Sequence, residues 1–134
     1  MGGESLIMSN EIKLPKDVII VSETDAKGII TFANDDFCKM AGYTIEELTG
    51  QPHSMVRHSD MPKAAFADLW ETIKAGKIWK GIVKNRTKAG GFYWVNATAY
   101  PSVRPNGELR YISIRVAPTQ KEINDAENLY RTLR

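Results

Sequence analysis

One cysteine, Cys38, is all that this 134-residue chain carries, which excludes an internal disulfide and any cysteine-rich zinc site and suits a reducing compartment. No apolar run approaches the roughly 18–20 residues that span a bilayer. The chain is therefore expected to be cytoplasmic and not to insert into a membrane by itself. Its first ten residues lack the basic region and long apolar stretch of a signal peptide, and Leu6 stands where N-myristoylation wants Ser or Thr. Met8-Ser9 is a candidate native start behind added residues. An excess of one charge is also missing: 18 Lys and Arg face 16 Asp and Glu, a net +2. A nucleic-acid binder with a concentrated basic face is not expected from that balance. There is no internal repeat and no low-complexity linker.

What is present suits a single globular domain of 15.0 kDa, with 43% hydrophobic and 25% charged residues, long enough to bury a real core. The β-branched run Val18–Val21, the turn residues Asp25–Gly28 and the run Ile29–Phe32 predict a hairpin. Asn34 is placed to cap a short helix through Met40, ended by Gly42. Thr44-Ile45-Glu46-Glu47 is a capping box opening another, closed near Gly50. Gln51 to Met61 carries no clean period. Pro62 opens a longer helix with Phe66, Leu69, Trp70 and Ile73 on one stripe. From Ile78 the period becomes two: strands run over Trp79 to Thr87, Phe92 to Val103 and Leu109 to Val116. Thr119-Gln120-Lys121-Glu122 then caps a terminal helix with Ile123, Ala126, Tyr130 and Leu133 on one seam. That seam is spaced for a helix–helix contact with a second subunit or partner, or for folding back on its own domain. The class is α+β, with a five-stranded antiparallel sheet. Residues 1–17 form an N-terminal segment, 18–118 the domain proper and 119–134 an exit helix.

Several polar residues fall on inward positions. On the strand from Trp79, the face Lys80, Ile82, Lys84 and Arg86 is expected to see water. That turns Asn85 inward, where its carboxamide needs a partner, either neighbouring backbone or a ligand. The narrow face Tyr93, Val95, Ala97 and Ala99 leaves volume for something else, unless helices pack unusually close. Ser113 and Arg115 share one face of the last strand, and a polar ligand is demanded if that face points inward. The segment His53 to Pro62 concentrates both histidines. Arg57 with the adjacent His58, beside a helix N-terminus, makes an anion cradle. Asp60 is spaced to cap the helix near Pro62, and Trp79 is either core or a platform for a planar ligand.

The run Asn34-Asp35-Asp36-Phe37 with Gly42-Tyr43 resembles PAS domains. Gly50-Gln51-Pro52-His53, Met55-Val56-Arg57-His58, Asp60-Met61-Pro62 and Trp79…Asn85-Arg86 resemble more narrowly the flavin-binding PAS domain of bacterial aerotaxis receptors. The resemblance runs from about Val21 to Leu133. It implies a module that holds FAD and reports redox state to a downstream signal-converting and kinase-control region of a membrane-anchored receptor. The positions matching flavin-contacting motifs are Asn34, His53, Arg57, His58, Asp60, Trp79 and Asn85. Arg57 and His58 would balance a pyrophosphate, Trp79 would cover a ring and Asn85 would bond the polar edge of the isoalloxazine. Arg115 joins them if its face lines the pocket, and Asp60 would position Arg57 as a loop and cap residue. Ser59 stands where that family usually has Pro, which loosens the loop.

Two alternatives remain open at this stage: a haem-binding gas sensor with His53 or His58 on the iron, and a ligand-free PAS interaction or dimerisation module. Cys38 lies outside the motif that places a reactive cysteine beside a flavin, so no photochemical adduct is expected. No nucleophile–base pair or phosphate-transfer loop points to an enzyme.

Overall fold

The computed structural model describes residues 10–133; the candidate start at Met8-Ser9 and the first nine positions of the N-terminal segment lie outside them. Five strands form one antiparallel sheet in the order β2-β1-β5-β4-β3, with β1 Ile20–Thr24, β2 Ile30–Ala33, β3 Trp79–Arg86, β4 Phe92–Val103 and β5 Leu109–Val116. Helices α1 (Asp35–Ala41), α2 (Ile45–Leu48) and α3 (Lys63–Lys74) lie between β2 and β3, and α4 (Gln120–Leu133) follows β5.

The local signals act as the sequence indicates. Asn34 caps α1 through its Oδ1 and the Phe37 N–H, and Gly42 ends that helix at φ 80°. Both capping boxes form, Thr44 with Glu47 and Thr119 with Glu122. The first hairpin differs. Its leading strand is Ile20–Thr24, not Val18–Val21, because Ile20, Ser22 and Thr24 alternate inward and two of those inward positions are hydroxyls rather than apolar groups.

The irregular stretch after α2 closes the architecture. Ile30 N–H donates to Gln51 O, and His53 N–H donates to Gly28 O, along the outer edge of β2. After a 3₁₀ turn at His53–Val56, Arg57 bridges Asn85 on the free edge of β3. The same segment thus touches both edge strands. Laid flat, five strands at about 4.8 Å spacing would separate those edges by about 19 Å. A 3₁₀ turn advances only about 2 Å per residue, so the sheet must curl for the segment to reach. The curl leaves a concave inner face, over which α3 packs with the stripe Phe66, Leu69, Trp70 and Ile73.

The outer face corrects one expectation and shows which of two alternatives the terminal helix takes. Lys84, expected in water, is only 8% exposed: its ammonium sits 4.4 Å from the Phe92 ring centroid and 2.8 Å from Asp60 Oδ2. The seam of α4 is spent within the domain. Ile123, Ala126 and Tyr130 are buried, the Tyr130 hydroxyl donates to Ile82 O on β3, and Asn96 on β4 donates to Glu122. Leu133 stays exposed. Residues 10–14 join the same face, with Ile12 N–H donating to Phe92 O and Leu14 buried. No helix among the described residues is long and apolar enough to cross a membrane.

Candidate functional site

The concave face encloses a cavity of about 280 Å³ between the sheet, α3 and the His53–Arg57 segment. Strand register explains its floor. Ala97 pairs with Gly81 on one side and Arg115 on the other, while Ala99 pairs with Trp79 and Ser113. Small residues at the centre of the sheet leave the volume that larger ones would fill. Ser22 and Thr24 of β1 continue the floor, and the α3 stripe supplies apolar walls. The inward face of β5 is the polar one, Ser113 and Arg115.

Arg115 dominates the electrostatics. It is 2% exposed, and no carboxylate among the described residues pairs with it. Its Nη2 donates to Ser22 Oγ at 2.6 Å, its Nη1 lies 3.2 Å from His53 Nε2, and Ser22 Oγ lies 3.0 Å from that same nitrogen. An arginine can only donate, so Nε2 is an acceptor and the imidazole proton sits on Nδ1. Burial, then the charge of Arg115, pushes the His53 pKa down to about 3, so the ring is neutral. Burial also lowers Arg115 to about 10, leaving it charged at neutral pH. Phe37 closes this corner, 4.5 Å from the guanidinium and stacked on His53. A buried cation without an anion is costly unless something polar reaches it. Its Nε has no hydrogen-bond partner among the described residues.

Asn85, 3% exposed, faces the cavity from β3. At the mouth, Lys27, Ser54 and Arg57 line the opening with Phe66 and Trp70, the Arg57 guanidinium lying 4.4 Å over Phe66. The β1–β2 turn is pressed close here: a Cβ on Gly28, at φ 85°, would come within 3.0 Å of Trp70.

Of the eight positions singled out from sequence, four come together on this cavity: His53, Arg57, Asn85 and Arg115. The other four lie off its wall. Asn34 is an internal tie, accepting from Val21 N–H and Phe37 N–H and donating to Ile19 O. His58 sits on the β3 edge, its N–H donating to Lys84 O, its Nδ1 accepting from Asp60 N–H, and its ring against Phe92. Asp60 does not cap α3, whose first turn has no side-chain cap; its carboxylate meets Lys84. Trp79 folds over Gly81 on its own strand and donates Nε1–H to Asp68 on α3. A Cβ on Gly81 would fall 2.3 Å from the Trp79 ring. Gly81→Ala should therefore displace the indole and cost about 1–3 kcal/mol in a denaturant titration; an unchanged midpoint would show that the ring moves freely. Ser22, Lys27 and Trp70 are wall residues that sequence reasoning did not assign. Ser22 had no signal, because a lone serine in a short strand reads as surface.

Residues 30–115 match the family of the PAS fold. The chain is 50% identical over 133 residues to the aerotaxis receptor of Escherichia coli (strain K12), covering 99% of this chain and 26% of that one. It is 31% identical over 117 residues to a nitrogen fixation regulatory protein of Klebsiella pneumoniae, covering 87% of this chain and 23% of that one. It thus spans about a quarter of the length of these curated relatives. Among solved structures, the light-state LOV domain of the blue-light photoreceptor Aureochrome1 superposes with a TM-score of 0.71 at 15% identity, over 96% of this chain and 97% of that one. At that identity the likeness is one of fold.

Proposed function

Because the chain belongs to the PAS fold family, we propose that it is a sensory module that binds FAD and passes the redox state of the flavin to a signalling region beyond the domain, as part of an aerotaxis-type receptor. The observation that carries this reading is the buried Arg115, which pairs with no carboxylate among the described residues, on the wall of a cavity with an apolar roof. A flat heterocycle with one polar edge suits that combination: α3 and the alanines take the rings, while Asn85, His53 and Arg115 take the edge. The orphaned Arg115 Nε is a donor awaiting an acceptor of that kind. When bound, the flavin supplies the redox chemistry; the protein's part is to hold it, keep a cation beside it and exclude water.

The mouth supports FAD over a shorter flavin. A cavity of about 280 Å³ is at the small end for a ligand pocket, so a dinucleotide must continue outward past Lys27 and Arg57. Neither side chain makes an ion pair among the described residues, so both cations remain for the two phosphates. Titrating flavin-free protein with FAD, FMN and riboflavin tests this. FAD should bind at least tenfold tighter than riboflavin, and Arg57→Ala should remove most of that difference. Equal affinities for all three would sink the dinucleotide reading, and no binding of any would sink the flavin reading.

The placement of the two histidines favours flavin over haem. His58 is off the cavity wall, and His53 Nε2 already accepts from Arg115 and Ser22. Output follows β3, the strand that presents Asn85 inward and carries Ile82 O, to which Tyr130 of α4 is tied. A kinase-control region downstream, an anchor in the inner membrane, a cytoplasmic position of this module and a dimer of receptors all belong to the same proposal for the whole protein. No part of the reading requires nucleic acid.

A further inference from the structure

Ser22 lies on β1 at the cavity floor, 1% exposed, between small neighbours: Ala33 stands opposite it on β2 and Ser113 on β5. Alanine would fill the same space, and a buried hydroxyl is costly unless it is bonded. Its partner lies on the diagonal. Arg115 is paired with Ile20, so its long side chain runs two residues along β1 and brings Nη2 within 2.6 Å of Ser22 Oγ.

Three groups meet at this corner, and their hydrogen-bonding capacities differ. The guanidinium can only donate. His53 Nε2, with the ring proton on Nδ1, can only accept. A hydroxyl does both. Ser22 accepts from Nη2 and, at 3.0 Å from Nε2, donates its own proton to the imidazole, while Nη1 reaches the same nitrogen at 3.2 Å. Two donors thus share one lone pair, so the bond to His53 is the weaker of the guanidinium's two ties. His53 is also carried by a 3₁₀ turn, whereas Ser22 is built into the sheet and has a single side-chain torsion to fix. Phe37, 4.5 Å away, attracts the charge without fixing where each N–H points. We propose that Ser22 is a positioning residue: it anchors the Arg115 guanidinium to β1 and so sets the direction in which its remaining N–H groups meet the ligand.

This inference rests on the flavin reading, and one arm of its test needs no flavin. In nitrogen NMR of the flavin-free domain, Arg115 Nη1 and Nη2 should give two resolved resonances, because a tied guanidinium rotates slowly. In Ser22→Ala they should merge. In Ser22→Thr, which keeps the hydroxyl on a residue suited to a strand, they should stay apart. In flavin titrations Ser22→Ala should weaken FAD binding about tenfold and shift the midpoint potential of the bound flavin, and Ser22→Thr should restore both. In an Arg115→Met background, Ser22→Ala should change affinity about twofold or less and leave the potential in place, because the residue through which Ser22 acts is gone. Resolved Nη resonances in Ser22→Ala, an undiminished loss in the Arg115→Met background, or a folded Ser22→Thr that binds FAD as poorly as Ser22→Ala would overturn the assignment. A wild-type domain that takes up no flavin would instead overturn the reading beneath it, with the Nη resonances still deciding whether Ser22 holds Arg115.

Discussion

Arg115→Met should strip the domain of most of its flavin affinity while making the flavin-free protein no less stable. A charge-assisted hydrogen bond lost from a buried site is worth about 1.5–3 kcal/mol, a 10- to 150-fold weaker dissociation constant. In the free domain the same substitution removes a buried cation that no carboxylate among the described residues offsets, and replacing such groups by apolar ones of similar size is neutral or stabilising by about 1–4 kcal/mol. Affinity and stability should therefore move in opposite directions, which simple damage to the fold would not produce. The pH dependence adds a second signature. His53 titrates near 3 in the folded domain against an ordinary value of 6.5, so the unfolded chain takes up a proton first. Stability from this group is fully present above pH 6.5 and declines as pH falls toward 3. Burial is the larger cause of that shift and Arg115 the second, so in Arg115→Met the decline should be shallower but still present. Urea titrations of flavin-free protein across that range measure the slope; an identical slope in both proteins would remove Arg115 from the account of His53.

Asp60→Ala should be more harmful than Lys84→Met, although the two side chains belong to one ion pair. Asp60 is about half exposed and can be rehydrated when its partner is gone, whereas Lys84 is held between β3 and the rings of Phe92 and Trp94. Removing the carboxylate strands a buried ammonium, at about 3 kcal/mol; removing the ammonium costs about 1 kcal/mol or less. The damage reaches the cavity through the backbone. His58 N–H donates to Lys84 O, Lys84 N–H donates to Met61 Sδ, and Arg57 bridges Asn85, so the Asp60–Lys84 pair helps pin the segment that carries Arg57 to the strand that carries Asn85. Flavin retention should fall sharply in Asp60→Ala and be largely restored in the double variant Asp60→Ala/Lys84→Met. Thermal midpoints and flavin occupancy measured together decide it: equal losses in the two single variants would show that the pair is not the clasp.

The sheet was readable wherever side chains alternate by burial. β4 and β5 fall on Phe92–Val103 and Leu109–Val116 as expected, because period-two patterning and the Pro105-Asn106-Gly107 turn bound them on both sides. The inward turn of Asn85 and the vacated volume over Ala97 and Ala99 were readable for the same reason. β1 was displaced because its inward positions, Ser22 and Thr24, serve a polar cavity and so look like surface. Lys84 was misplaced because nothing local reveals that its ammonium packs on the rings of Phe92 and Trp94 and meets the Asp60 carboxylate. His58 and Asp60, singled out beside Arg57 in one short motif, lie on the far side of the β3 edge: chain neighbours that wrap a strand need not share a face.

The order β2-β1-β5-β4-β3 also dictates when this domain can come into being. Its central strand, β5, is the last to be made and pairs with the first, β1, so that Ser22 meets Arg115 across 93 positions of chain. On a ribosome, the hairpin Ile20–Ala33 and the helices after it emerge with no neighbour for the inner edge of β1. The β3–β4 pair likewise waits for β5. Such distant pairing is slow, because loop closure precedes the contacts that reward it. The cavity floor is thus completed last, when β5 slots between two preformed halves. Cofactor capture becomes an event that follows synthesis of the whole domain, and a nascent chain stopped before residue 109 would have no site to fill.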